Sequence, residues 1–428
     1  MKIQGVKIDG FKNLSNVKIK FDTITALVSV NNFGKSNVLS AIDFGLNYIK
    51  ASMEDKENMM SNINFMPMNV ATKNNNYKFE MEILSNFNSV EHIVVYSYEF
   101  KWDENNGNEP YIIYETLKMK PNKKGGRYNN LINRNEKNAF YKSSETGRCS
   151  SKINVEKAEL VVNKLRAYDN IFCKNLIKKL NSMKFYMENN LDAKNFYRPD
   201  PIIRKDLEDI ELRSDNLPRV IFQLKEKNPD KFDLLKNIYK DIFPNFEDII
   251  VKQIPLDATE HEELPEEIPF TLSNAIYFLF VKDVNLVKPI NFTMMSDGAK
   301  RIFMILTRII LADVSNVSLI AIEEPENSVH PKLFRDYIQI IGQLLDDCKI
   351  LITSHSPYII SYLELSWIHV GISRKPGVAE FFSFKKSGQK LLEEDAVQLG
   401  MSTGDYLFSM LADEENCWED YLECGDYE

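Results

Sequence analysis

The chain is poor in the residues that staple, chelate or span. Its 428 residues include five cysteines (Cys149, Cys173, Cys348, Cys417 and Cys424) and five histidines. No two cysteines form a C-x-x-C pair, so neither a disulfide framework nor a zinc site is expected, and the thiols fit a reducing cytoplasm. No stretch nears the run of about 18 apolar residues that a membrane span needs, and the opening "MKIQGVKIDGFKNL" lacks an apolar core of signal-peptide length. Neither export nor membrane insertion is expected. Sustained heptads, internal repeats and long low-complexity tracts are also missing, which argues against a long coiled coil.

What is present can fill a large core: 44% of residues are hydrophobic and 27% charged, enough for two lobes. The net charge of −9 is unevenly spread. Residues 391–428 hold twelve Asp or Glu and no Lys, Arg or His, so the rest of the chain is slightly basic. Residues 118–152 hold ten Lys or Arg against two Glu. That stretch reads either as solvated surface or as a site for nucleic acid or an acidic partner. The acidic end also carries Trp418, Tyr421 and Tyr427; these are expected to dock a partner, the alternative being a solvating tail.

The stretch "SVNNFGKSN", residues 29–37, is a phosphate-binding loop with one glycine replaced. The pattern asks for Gly, four residues, Gly-Lys, then Ser or Thr, and Ser29 stands where the first Gly would be. A β-rich run, "FDTITALV", precedes it and a helix-spaced run, "KSNVLSAIDFGLNYI", follows, so strand, loop and helix succeed one another as the motif requires. In such a loop the backbone N–H groups of Asn31, Asn32 and Gly34 face phosphates. Lys35 would neutralise their charge, the Ser36 hydroxyl would ligate Mg²⁺, and Asn37, the next residue, is also expected to bind the nucleotide. The first glycine only eases a tight turn, which Ser29 can make at modest strain.

Two further stretches carry chemistry. "VSLIAIEEPENSVHP" reads as a buried strand, residues 317–322, ending in Glu323 and Glu324; the first could join a Mg²⁺ shell and the second orient or deprotonate a water. "KILITSHSPYII" reads as another buried strand ending at His355, where ligands bind open α/β sheets. Upstream, "MMSDGAKRIFMILTRIILAD" places Ser296 as cap and Gly298 beside it at the start of an amphipathic helix, an arrangement suited to an anion.

In this order the motifs resemble those of the ABC-type ATPases of the SMC, RecF and OLD branch. "GFKNL", "VNNFGKSNVLSAI", "SDGAKRI", "AIEEPENSVHP" and "ITSHSP" match its phosphate loop, signature, Walker B with D-loop, and switch histidine. The match is close over about residues 1–50 and 270–372. It departs at Ser29, at Glu323 where Asp is usual, and in lacking a recognisable Q-loop glutamine. The resemblance implies ATP and Mg²⁺ as cofactors, with Glu324 and His355 catalytic. It implies a head-to-tail dimer in which Ser296 and Gly298 of one copy meet the γ-phosphate bound by the other.

The expected fold is α/β: an ABC-type P-loop ATPase head with a mixed sheet and an inserted, mostly helical lobe. Residues 1–120 would form an N-terminal ATPase lobe, 121–245 a basic loop and helical lobe, 246–390 a C-terminal ATPase lobe, and 391–428 an acidic tail. OLD proteins append a nuclease domain, yet only 73 residues follow His355. His92 and His261 have no metal-ligand company. The resemblance is therefore to cytoplasmic standalone ATPase subunits of bacterial anti-phage systems such as Septu and PARIS, which act with a separately encoded effector, here expected to be a nuclease. Two alternatives stay open: a RecF-like repair ATPase acting on DNA directly, and a scaffold or sensor that ATP assembles with little turnover.

Overall fold

The computed structural model describes residues 1–103, 110–168, 171–188, 202–204, 216–256, 270–272, 275–344, 348–413 and 417–424. Residues 257–269, which include His261, and Tyr427 lie outside them. The chain forms two units: Met1–Met187 with Ser318–Glu324 and Asp347–Glu428, and Glu188–Val317 with Pro325–Asp346.

The first unit contains two sheets. One is antiparallel, in the order Val17–Lys20, Lys2–Asp9, Tyr77–Phe87, Val90–Phe100, Ile112–Pro121, Asn129–Asn135, Ala139–Lys142 and Cys149–Ile153. Along Tyr77–Phe87 burial alternates residue by residue, the mark of a strand with one face on the core. The other sheet runs Phe185–Glu188, Leu319–Glu323, Lys349–Ser354, Ile24–Val28, Ile368–Ile372 and Glu380–Ser383. Its four middle strands are parallel. Ile24–Val28 is buried at every residue, as a parallel strand covered on both faces must be.

The helix Lys35–Lys50 is pinned to the antiparallel sheet. Tyr77 and Tyr98 donate their hydroxyls to the carbonyls of Ala41 and Gly45 at 3.0 and 2.8 Å, and Phe44 packs edge-on against Tyr77 with centroids 5.0 Å apart. A side chain at Gly45 would meet the Phe79 ring at 2.4 Å, so glycine lets helix and sheet approach.

The basic stretch is not a loop. Residues 129–153 form three antiparallel strands that extend the first sheet, with Leu131, Ile132 and Arg134 facing inward. Arg134 donates to the carbonyls of Glu156, Lys157 and Glu159. Nearby Glu115 is fully buried; it accepts from the Tyr96 hydroxyl and from the backbone N–H groups of Val161 and Val162, and so caps the helix Val161–Arg166. Burial holds its carboxyl above the usual carboxylate range. Part of the basic charge is thus structural.

The acidic end is likewise integrated. Lys386–Gln398 and Thr403–Ala412 are helices, and Leu422 is fully buried. The Tyr421 hydroxyl donates to Asp395 at 2.6 Å, and its carbonyl accepts from the Lys385 N–H at 2.9 Å. Tyr421, expected to reach a partner, is occupied within its own unit.

The second unit holds a three-stranded antiparallel sheet (Phe246–Pro255, Ala275–Asp283, Ile290–Asn291) and the helices Leu217–Lys227, Pro229–Ile242, Asp297–Val314 and Pro331–Leu344. The Tyr239 hydroxyl donates to the Ala299 carbonyl at 3.2 Å, tying Pro229–Ile242 to the helix that begins at the signature.

Candidate functional site

Three adjacent parallel strands deliver the site of the first unit. Ile24–Val28, Lys349–Ser354 and Leu319–Glu323 lie side by side, with Val28 opposite Ser354 and Thr353 opposite Glu323. Their C-terminal ends therefore share one edge, and from that edge emerge the phosphate loop, His355 and the carboxylate pair. Ligands of open α/β sheets bind at such an edge.

Within the loop, Lys35 is buried although charged, with 7% of its surface exposed. Its Nζ donates to the carbonyls of Ser29 and Val30 at 2.9 and 3.0 Å and lies 3.3 Å from the Ser29 Oγ. Ser29 has thus gained a contact that glycine could not make. Asn32 sits at φ 59° and Gly34 at φ 135°, the latter a conformation reserved for glycine. Asn31, Asn32 and Ser36 are exposed and Asn37 is half-buried.

Glu324 leaves its strand in a left-handed conformation, φ 46°. Such backbone strain costs roughly 1–3 kcal/mol and persists where the surroundings hold it. The holding groups are visible: its N–H donates to the Thr353 carbonyl at 3.0 Å, and its Oε1 lies 2.8 Å from His355 Nδ1. A carboxylate only accepts, so Nδ1 carries the proton. Both side chains stay over one third exposed, open to water.

Ser296 and Gly298 belong to the second unit. The Ser296 Oγ accepts from the Ala299 N–H at 3.3 Å and caps the helix Asp297–Val314, as its sequence predicts. A Cβ on Gly298 would lie 2.6 Å from the Ser328 carbonyl oxygen, so the chain just after the carboxylate pair packs on the signature glycine. The structure brings Lys35, Glu323, Glu324 and His355 to one strand edge. Sequence reasoning missed Asn13 and Gly371, which brace the loop. Asn13 Nδ2 donates to the Phe33 carbonyl at 2.9 Å, and a Cβ on Gly371 would strike the Phe33 ring at 2.7 Å.

A buried strand, a glycine-turned loop, a lysine-led helix and strand-end carboxylates define a P-loop ATPase of the ABC type. The AAA_15 family model, described as AAA ATPase domain, matches residues 1–360, and the chain belongs to that family and is an ATPase. Similar solved structures include an SMC head bound to the C-winged helix domain of ScpA, at 12% identity over 90% of this chain and 99% of that one with a TM-score of 0.46. Another is the SMC head domain from Thermotoga maritima, at 10% identity over 90% of this chain and 100% of that one with a TM-score of 0.43. A third is the SMC head domain derived from Pyrococcus furiosus, with an extended coiled coil and bound to the C-terminal domain of ScpA. It is 13% identical over 92% of this chain and 99% of that one, with a TM-score of 0.40. No curated protein matches the sequence. Among the described residues no helix is long and apolar enough to cross a membrane, and no group of three or more His, Cys, Asp or Glu could hold a metal ion.

Proposed function

We propose that this ATPase closes head to tail with a second copy around ATP and thereby controls a separately encoded nuclease in anti-phage defence. The observation that carries the ATP-hydrolysing part of the reading is the Glu324–His355 hydrogen bond on the strand edge that also bears Lys35. A base, a group that orients it and the loop lysine share one edge, while the signature start lies in the other unit. The donor set fits ATP with Mg²⁺: the Ser36 hydroxyl and Glu323 carboxylate are hard oxygen donors, and the Gly34 turn has Asn13 and Ala379 so close that a Cβ there would meet them at 3.0–3.2 Å. Bound Mg²⁺ supplies neutralisation of the phosphate charge.

The residues divide the work. Lys35 and the N–H groups of Asn31, Asn32 and Gly34 hold the phosphates. Glu324 accepts the proton of the attacking water while His355 keeps its carboxylate aimed. Ser296 and Gly298 of the second copy complete the site in trans, which favours closure only while the γ-phosphate is present.

A mixing experiment tests the trans site. Lys35→Ala and Ser296→Arg should each abolish ATP turnover alone and recover part of it when mixed, since one intact composite site then forms; no recovery contradicts the head-to-tail arrangement. Phage plating with and without the neighbouring gene tests the defence role: protection that needs no second gene excludes a separate effector. One observation favours direct action on nucleic acid as a second reading. The Lys118 and Lys120 ammonium groups lie 5.2 and 4.6 Å from the ring centroid of Tyr128, itself 40% exposed, and a stacking ring flanked by cations suits a polynucleotide.

A further inference from the structure

The phosphate loop is held from outside by Asn13, a residue of the "GFKNL" stretch that precedes it in the chain. Asn13 lies in the turn after the first long strand, 20 residues before Phe33. Its Nδ2 donates to the Phe33 carbonyl at 2.9 Å, and its Oδ1 accepts from Asn37 Nδ2 at 2.8 Å. Its own backbone is fixed, since the Asn13 carbonyl accepts from the Ala379 N–H at 2.9 Å. The Phe33 ring is also held, edge-on against Phe381 with centroids 5.6 Å apart and over Gly371, where any Cβ would strike it.

We infer that Asn13 is a positioning residue for phosphate binding: by holding the Phe33 carbonyl it turns the Gly34 N–H into the phosphate-facing side of the loop. The argument is geometric. In a trans peptide the C=O and N–H point in opposite directions, so a carbonyl fixed toward Asn13 fixes the following N–H away from it. Gly34 at φ 135° has no side chain to lock that peptide plane, and glycine is the residue most able to let it flip. A flipped plane would present a carbonyl oxygen to the phosphate in place of a donor. Asn13 supplies the lock, and through Asn37 it ties the plane to the first turn of the helix Lys35–Lys50. The amide matches the task because it offers a donor to the carbonyl and an acceptor to Asn37 at once.

The inference rests on the proposed nucleotide site, and the test separates the two. ATP and ADP affinities, ATP turnover and thermal midpoint are measured for wild type, Asn13→Ala, Asn13→Asp and Lys35→Ala. Asn13→Ala should weaken both nucleotides about tenfold, the factor that one misdirected N–H to a charged acceptor costs. The turnover number at saturating ATP should change far less, because the N–H serves ground state and transition state alike. Asn13→Asp keeps the shape and the Asn37 contact but faces the Phe33 carbonyl with an acceptor. It should therefore bind both nucleotides worse than Asn13→Ala does. Affinities equal to wild type in Asn13→Ala, or Asn13→Asp binding as tightly as wild type, overturn the inference. Wild-type ATP affinity in Lys35→Ala overturns the nucleotide site itself, whatever Asn13 does.

Discussion

Replacing Leu422 by Ala should destabilise the first unit without touching ATP chemistry. Leu422 has no exposed surface, forms a bridge with Phe384, and follows Tyr421, whose hydroxyl donates to Asp395 at 2.6 Å. The contact zone cannot collapse easily, because Tyr421 backbone atoms crowd Gly388, where a Cβ would lie 2.1 Å from the Tyr421 carbonyl oxygen. A Leu→Ala change in such a site costs roughly 2–5 kcal/mol, the transfer term plus the cavity left behind. For a domain of a few hundred residues about 3 kcal/mol lowers the thermal midpoint by roughly 5 °C or more. Differential scanning fluorimetry reads the midpoint, and ATP turnover at 20 °C serves as control. A midpoint within 1 °C of wild type would refute the packing argument and return the acidic end to the role of a solvated tail.

Acid should unfold the protein partly through His369. Burial pushes its imidazole down to about 4, and its Nε2 accepts from the Lys20 N–H at 3.3 Å. The unfolded chain takes up this proton near pH 6.5 and the folded one only near 4, so stability falls as pH drops across that window, by up to roughly 3 kcal/mol. His369→Gln keeps an acceptor for Lys20 and should flatten the fall between pH 6.5 and 4; equal slopes in the two proteins would show that other groups carry it. On the basic strands, Lys118→Glu with Lys120→Glu should lower the salt slope of nucleic-acid binding by about two charges, as read by fluorescence anisotropy. An unchanged slope would leave Tyr128 and its lysines as solvated surface.

The pattern of the sequence carried further in the regular elements than at their braces. The helix starting at Ser296 was legible because its apolar residues recur with helical period and a hydroxyl stands at the cap, and the buried strands ending at Glu323 and Ser354 because apolar runs of strand length end in polar residues. Strands 129–153 were hidden by asparagines and charges on the outer face, and because Arg134 points inward to serve three carbonyls. Asn13 was illegible as a brace: its partners Phe33 and Asn37 lie 20 and 24 residues away, and no local period records such a contact. Tyr421 misled for a related reason. An aromatic ring in an acidic end reads the same whether a partner or the chain's own Asp395 receives it.

Glu324→Gln offers the most direct test that Glu324 spends ATP and that ATP closes the dimer. Gln keeps the size and a hydrogen bond toward His355 but cannot take a proton, so hydrolysis should fall by roughly 10²–10⁴ while ATP still binds. With ATP and Mg²⁺ the variant should run as a stable dimer by size-exclusion chromatography with light scattering, and wild type should return to monomer as its ATP is consumed. Normal turnover by Glu324→Gln, or a variant that binds ATP and stays monomeric, would contradict the account.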